Sequence, residues 1–385
     1  MVLIRGFFCL FLFSFTASLA QDFPMDTVKI DYDTIPTIIP FLPSKYDPLA
    51  PPDTLALAKK DILTIIGVGD IMMGTNYPEN RLPVGNGSLL MHDVLEILQS
   101  ADITFGNLEG VLLDEGGTPK NCRDPKVCYV FRSPSSYADN LVAAGFDLIS
   151  VANNHAGDFG NEGRENTMNV LKEKGIAYAG QLQQEFTIIV KDNIRYGLVA
   201  FAPNTNCVNI NDYRHATAIV QHLDSAADVV IVSFHGGAEG KEYQHVPRRH
   251  ELFHGEDRGD VYEFSHRMID AGADIIFGHG PHVTRGIEVY RNRFIAYSLG
   301  NFCTYKGINI AGINGWAPII KVYTNRYGEF LKGEITPTYQ VYGVGVKIDP
   351  NHQVTKKITE LSKKDFPESP IGIDDKGIIT YLDQQ

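Results

Sequence analysis

Positive charge is scarce in this sequence. Lys and Arg number 34 against 46 Asp and Glu, which gives a formal net charge of −12. Nucleic acids and anionic membrane surfaces attract proteins with the opposite charge balance. The composition therefore argues against both as the main partner, although it leaves room for a local basic pocket.

Long apolar runs are also rare. The most apolar stretch, residues 7–15, is shorter than the roughly 20 residues that a helix needs to span a bilayer. Arg5 precedes this stretch and Ser18-Leu19-Ala20 follows it, which is the order of a positive region, an apolar region and a small-residue cleavage site. Residues 1–20 are therefore predicted to be a signal peptide. This implies a periplasmic or extracellular protein that meets the membrane only through this segment.

Cysteine is sparse as well, and one of the five cysteines, Cys9, lies inside the predicted signal peptide. Cys122 and Cys128 flank the short loop Arg-Asp-Pro-Lys-Val. In an oxidising compartment, this spacing favours a small disulfide-closed loop. A second bond between Cys207 and Cys303 is left open by the sequence.

The chain has neither internal repeats nor low-complexity tracts. Residues 21–60 are rich in Pro and Asp and are predicted to be a linker or an extended arm. From residue 61 to 341, apolar strand segments alternate first with helical segments and later with hairpin partners, which predicts an α/β fold with mixed sheets and outer helices. Residues 342–385 are predicted to be a small C-terminal appendage, to which the sequence assigns no role.

The predicted elements cover most of residues 61–341. Strands are predicted at 62–69, 102–106, 147–152, 186–190, 196–201, 228–234, 274–277, 287–290, 294–299 and within 319–341. Helices are predicted at 88–99, 135–144, 162–174, 216–227 and 261–271.

Polar residues gather where five of these strands end. In residues 147–160, DLISVANNHAGDFG, a buried strand runs into two amides, an imidazole and a carboxylate. The other four ends read GDIM (69–72), GNLEG (106–110), SFHGG (233–237) and GHGPH (278–282). A single polar residue at a strand end more often has a structural role than a ligand-binding one. Ligands of open α/β sheets, however, bind at the carboxyl ends of strands. Because these are metal-ligand types, their recurrence predicts a metal site.

Seven motifs follow one another over residues 62–341. In order they are GDIMMG, FGNLEG, FRSP, ANNHxxDxG, a strand ending in His-Gly, GADIIxGHxPHV and AYSLGNF. This series resembles the CapA family of capsule-synthesis proteins. That family is known from poly-gamma-glutamate capsule assembly and is related to the calcineurin-like metallophosphoesterases. The resemblance implies a four-layer α/β/β/α sandwich of the metallo-dependent phosphatase type, with a metal centre at the sheet ends.

The resemblance also implies roles for individual residues. It implies metal ligands at Asp70, Glu109, Asn154, His235, His279 and His282, with Asn107 as the other candidate in the second motif. It further implies that His155 is a general acid beside the metal. Asp158 either orients His155 or only turns the loop, and the turn is slightly favoured.

Two departures from the phosphoesterase pattern limit the expected metal content. Met72 occupies the place of a histidine in the first motif, and the last two histidines are separated by two residues instead of one. We therefore expect one firm divalent ion, Zn, Mn or Fe, in a site formed by Glu109, Asn154, His235 and His279. A second position with Asp70, Glu109 and His282 is expected to be weaker or empty.

Two segments are candidates for substrate binding. Residues 239–260 mix basic and acidic side chains, so that either Arg248 or Arg249 binds an anionic polymer or the segment is a self-paired surface loop. These two interpretations have equal weight. Asn301 either positions substrate or caps its own loop.

Two classes of function follow. The first is a secreted metal-dependent hydrolase or transferase that acts on a carbonyl or phosphoryl centre of an anionic cell-envelope or capsular polymer. The second is a non-catalytic accessory protein that binds such a polymer or supports a capsule synthesis or export complex. His155 favours the first class, because a binding protein needs no acid beside a metal, whereas Met72 favours the second.

Overall fold

The computed structural model describes residues 60–122 and 128–382. The predicted signal peptide and all but the last residue of the predicted linker lie outside these described residues. Within the described ranges, no helix combines the length and the apolar character needed to cross a membrane.

Most described residues belong to strands or to the helices beside them. The strands are β1 (Ile62–Met72), β2 (Ile103–Leu108), β3 (Val111–Leu112), β4 (Arg132–Ser133), β5 (Leu148–Ser150), β6 (Ala177–Ala179), β7 (Phe186–Lys191), β8 (Ile194–Phe201), β9 (Val229–His235), β10 (Leu252–Phe253), β11 (Glu256–Asp257), β12 (Ile275–His279), β13 (Ile287–Tyr290), β14 (Arg293–Ala296), β15 (Asn301–Thr304), β16 (Trp316–Asn325), β17 (Phe330–Val341), β18 (Gly345–Ile348), β19 (Ile371–Ile373) and β20 (Ile378–Tyr381). The helices are α1 (Leu95–Leu98), α2 (Ala138–Ala143), α3 (Gly160–Glu173), α4 (Tyr213–Ala226), α5 (Val261–Asp270) and α6 (Gln353–Asp365).

Two large sheets contain most of these strands. The first has the order β19-β20-β17-β16-β1-β2-β5-β6, with β15 also paired to β1 and β18 to β17. The second has the order β13-β14-β12-β9-β8-β7. The parallel strands β1-β2-β5-β6 form one end of the first sheet, and the parallel strands β8-β9-β12-β14 form the middle of the second. Because parallel strands point the same way, their carboxyl ends meet at one edge of each sheet.

The two sheets pack face to face and are covered by helices on the outside. Phe105 of the first sheet stacks on Phe277 of the second, with ring centroids 5.6 Å apart. Helices α1, α2 and α3 share a hydrophobic cluster with the outer face of the first sheet, and α4 and α5 share another with the outer face of the second. This arrangement confirms the predicted four-layer α/β/β/α sandwich.

The chain beyond residue 341 shares this architecture. Strands β18 and β20 both pair with β17. Val354 and Ile358 of α6 are fully buried in the cluster between the two sheets. The segment that the sequence separates as an appendage therefore contributes, as far as it is described, to the same sheet and the same core.

Most predicted strands and helices occur at or near their expected positions, but the helix predicted at 88–99 is wrong. The carbonyl oxygen of Leu90 accepts a hydrogen bond from the Val346 amide, and the Val94 amide bonds to Met91. Neither group therefore makes the hydrogen bond to the residue four positions away that an α-helix requires. Helical structure in this segment is consequently limited to a short turn and to α1.

The predicted disulfide between Cys122 and Cys128 is present. Cys207 and Cys303 are both buried and free, so that the second bond left open by the sequence does not form.

Candidate metal centre

Polar side chains from both sheets meet at the carboxyl ends of the parallel strands. Asp70 lies in β1 and Glu109 directly follows β2, both in the first sheet. His235 ends β9 and His282 follows β12, both in the second sheet. The site therefore spans the interface between the two sheets.

Glu109, His235 and His282 offer one ligand atom each within 4.8 Å of one another. Glu109 Oε1 lies 3.7 Å from His235 Nε2 and 3.4 Å from His282 Nε2. Among the described residues, neither oxygen of Glu109 and neither ring nitrogen of His235 has a hydrogen-bond partner, although both side chains are buried. A buried carboxylate without a hydrogen bond is costly. A divalent metal ion would take these oxygen and nitrogen atoms as ligands, so the residues present fit such a cofactor.

Burial and neighbouring charges give the two histidines opposite properties. The pKa of His235 is held well below its ordinary value, first by burial and then by the charge of Arg258, so His235 is a neutral imidazole suited to bind a metal. Burial also opposes protonation of His282, but Glu109 and Asp70 outweigh it and raise the pKa of His282 to about 10. Because a metal-bound histidine is neutral, a metal ion held by His282 would take the place of this proton.

Asp70 and Asn301 hold His282 in position. His282 Nδ1 lies 3.1 Å from Asp70 Oδ2 and 3.0 Å from Asn301 Oδ1. Asn107 donates a hydrogen bond of 2.8 Å to the other oxygen of Asp70. Such contacts fix the orientation of metal-ligating histidines. In this arrangement Asp70, Asn107 and Asn301 hold the metal-binding residue His282 in place. The Asn301 side chain contacts His282 and donates a hydrogen bond to the Asn314 carbonyl oxygen.

His155 approaches the same carboxylate from the loop after β5. Its Nε2 lies 3.9 Å from Glu109 Oε1, and its Nδ1 lies 2.8 Å from Asp158 Oδ2. The Asp158 oxygen also accepts a hydrogen bond of 2.7 Å from the Phe131 amide, and the Phe131 ring lies 4.3 Å from the imidazole. Asp158 therefore orients His155 in addition to shaping the loop.

Asn154 lines the cavity in front of this group, and its Oδ1 is buried without a hydrogen-bond partner among the described residues. An amide oxygen adds a neutral ligand to a metal site without further charge. The predicted role of Asn154 as a metal ligand is thus compatible with its position.

The structure places three other predicted site residues elsewhere. His279 Nε2 donates to the Val68 carbonyl oxygen at 3.0 Å, and its Nδ1 lies 3.4 Å from Ser233 Oγ, so His282 takes the place expected of His279 beside Glu109 and His235. The Arg248 guanidinium pairs with Glu368 and lies 4.3 Å over the Tyr262 ring. Arg249 is exposed, and neither arginine lines the cavity.

A cavity of about 600 Å³ opens in front of Glu109, Asn154, His155 and His282. Lys120 and Arg258 also line it, and no motif in the sequence indicates a role for either. Arg258 lies in the charge-rich segment 239–260, but nothing in that pattern separates it from Arg248. Lys120 follows no strand end, so its position becomes evident only from the fold.

Comparisons with known proteins agree with the motif order. Residues 64–306 match the model of the family described as bacterial capsule synthesis protein PGA_cap. The capsule biosynthesis protein CapA of Bacillus anthracis is 30% identical over 264 residues, which cover 64% of this chain and 60% of that protein. The PGA biosynthesis protein CapA of Bacillus subtilis is 27% identical over 263 residues, covering 64% of each chain. The chain thus spans less than two thirds of these relatives.

Among solved structures, a calcineurin-like phosphoesterase of Bacillus subtilis shares 12% sequence identity with a TM-score of 0.39, covering 80% of this chain and 98% of that chain. The family match does not depend on this distant similarity. It covers more than half of the 385 residues and includes all the strand ends that form the metal centre. The chain belongs to the bacterial capsule synthesis protein family PGA_cap.

Proposed function

We propose that this protein binds a divalent metal ion through Glu109, His235 and His282 and acts as a hydrolase or transferase on an anionic polymer of the cell envelope. The names of its Bacillus relatives refer to capsule and PGA biosynthesis. A polyanion of this kind, with poly-gamma-glutamate as the first candidate, is the proposed substrate. The predicted signal peptide supports a location outside the cytoplasm.

The buried carboxylate of Glu109, which receives no hydrogen bond from the described residues, is the observation that carries this proposal. Two other glutamates are almost fully buried in the described chain, and both are paired. Glu251 receives two hydrogen bonds from Arg285, and Glu288 receives hydrogen bonds from His266 and Tyr297. Buried carboxylates need compensating contacts, and the imidazoles of His235 and His282 lie near Glu109 Oε1 without donating a hydrogen bond to it. A metal ion held between these three side chains is therefore the partner that we propose for Glu109.

The surrounding residues suit hydrolysis or transfer. A divalent ion supplies a Lewis acid and activates water at neutral pH when it is bound. His155 faces the site from the cavity and is oriented by Asp158, which places it to deliver a proton to a leaving group. Asn154 offers a neutral oxygen at the same cavity.

The first test is the metal content of the purified chain after reconstitution with zinc, manganese or iron. We expect nearly one ion per chain in the wild type and strongly reduced content in Glu109→Gln and His235→Ala, since each loses a ligand. His92→Ala is the matched control, because the His92 side chain is 67% exposed on the surface, and it should keep its metal.

A wild-type chain without bound metal under these conditions would remove the hydrolase proposal. The polymer-binding accessory role would then be the better account. A metal-loaded chain should next be assayed on gamma-linked glutamate polymers and on phosphoesters, with His155→Ala as the variant that retains metal and loses turnover.

A further inference from the structure

We infer that Lys120 recognises the substrate by pairing with one of its carboxylate or phosphate groups beside His155. This inference rests on the proposed function and assigns a residue to the recognition of an oxyanion in the same cavity. It replaces Arg248 and Arg249, which lie outside the cavity, as the point of anion binding.

Lys120 is fixed next to the residues that are placed for chemistry. Its backbone amide donates a hydrogen bond of 2.8 Å to the Asp158 carbonyl oxygen. Its Nζ lies 2.6 Å from Asp158 Oδ1 and 3.4 Å from His155 Nδ1. An oxyanion bound to Nζ from the cavity would therefore lie close to the imidazole that faces Glu109.

The ammonium group has donors to spare. A lysine carries three N–H donors, and Asp158 takes one of them. His155 Nδ1 donates its proton to Asp158, so it does not accept a hydrogen bond from Lys120. The Lys120 side chain is 30% exposed and lines the cavity, so a ligand in the cavity can reach it.

Arg258 is the other lysine or arginine on the described walls of the cavity, and it is poorly suited to this role. Its side chain is only 2% exposed, and its Nη1 is shared by Glu239 and Glu256. Its Nε and Nη2 are inaccessible to solvent. A ligand in the cavity therefore meets two carboxylates on this side and a usable cation on the side of Lys120.

The remaining walls indicate what carries the oxyanion. Tyr129, Phe131, Phe253 and Ile308 line the cavity together with Lys120. Pockets with apolar walls and few polar groups bind ligands whose apolar parts are buried and whose polar groups are fixed at defined points. A chain with acidic groups on short apolar stems, such as linked glutamate units, has this character.

Calorimetric titration of the metal-loaded chain tests the inference, with a short gamma-linked glutamate oligomer as one probe and inorganic phosphate as the other. We expect Lys120→Gln to weaken binding of the preferred probe roughly 10- to 100-fold, the effect of losing a charge-assisted hydrogen bond. Lys120→Arg should keep most of the affinity, because it keeps the charge. Whichever probe responds identifies the oxyanion as carboxylate or phosphate.

Lys191→Gln is the matched control, because Lys191 also pairs with an aspartate, Asp147, and lies outside the cavity. It should bind the probe like the wild type. The inference is wrong if Lys120→Gln binds as tightly as the wild type, if Lys120→Arg loses as much as Lys120→Gln, or if the wild type binds neither probe. The metal content of the same samples separates these results from a failure of the proposed function, since Lys120 is not a metal ligand.

Discussion

Asp158 connects three segments of the chain through one buried carboxylate. The carboxylate accepts hydrogen bonds from the Phe131 amide and from His155 Nδ1, and it forms an ion pair with Lys120 Nζ. The Asp158 side chain is fully buried. Asp158→Ala leaves these donors without their acceptor, and we expect it to lower the free energy of unfolding by about 2–4 kcal/mol. Urea denaturation monitored by circular dichroism measures this loss.

Asp139→Ala is the comparison for this variant, because the Asp139 carboxylate pairs with Lys174 and is 60% exposed. It should change the free energy of unfolding by less than about 0.5 kcal/mol. Equal losses in the two variants would mean that the contacts of Asp158 add nothing to stability.

At the scale of single residues, the sequence predicts which strand ends are polar but not which way each side chain faces. Glu109, His155 and His235 lie where the strand-end pattern puts them. His279 and His282 have the same residue type and neighbouring positions, yet one contacts the Val68 carbonyl and the other contacts Glu109. That difference depends on the path of the chain after β12, where His282 adopts a positive φ of 56°. Spacing alone does not contain this information.

Asp102 links the starts of β1 and β2 through hydrogen bonds, and this contribution to the stability of the folded chain depends on pH. Asp102 accepts hydrogen bonds from the Thr64 amide and hydroxyl and from Lys60. Burial opposes ionisation, but these bonds outweigh it and hold the pKa of Asp102 below its ordinary value. A carboxyl group with a lowered pKa in the folded state stabilises it above the unfolded pKa of about 4 and loses this effect as pH falls through the folded value.

We therefore expect Asp102→Asn to be less stable than the wild type at pH 7 and to lose less further stability between about pH 4 and pH 2. Urea midpoints across this range measure both effects. Asp61→Asn, at an exposed neighbouring position, should follow the wild-type curve. Parallel curves for Asp102→Asn and the wild type would contradict the assignment.

At the scale of elements, the strands were predicted well because a short apolar run bounded by polar residues is typical of a buried strand in a layered fold. The helix at 88–99 was predicted wrongly, because the apolar spacing there is helical whereas the Leu90 carbonyl oxygen accepts a hydrogen bond from Val346, far along the chain. Long-range backbone pairing of this kind leaves no local trace in the sequence. The position of α6 against the core between the sheets was missed for the same reason.

The whole molecule should respond to metal, because the candidate ligands come from both sheets. A ligand that binds only the folded state raises its stability by about 4 kcal/mol at a thousandfold excess over the dissociation constant. We expect the Tm of the wild type to rise by several degrees when the fitting metal is added and to fall with EDTA. Differential scanning calorimetry should show no such response for Glu109→Gln. A response equal to that of the wild type would place the metal elsewhere.

The division of the metal ligands between two sheets also affects the rates of folding and unfolding. Glu109 comes from one sheet and His235 and His282 from the other, so the full set of ligands exists only after the sheets have docked. Interactions that form after the transition state slow unfolding and leave the folding rate nearly unchanged. To the extent that the sheets dock after the transition state, bound metal would lengthen the lifetime of the folded chain rather than hasten its formation. Wherever unfolded chains meet proteases, that lifetime decides how long the protein persists.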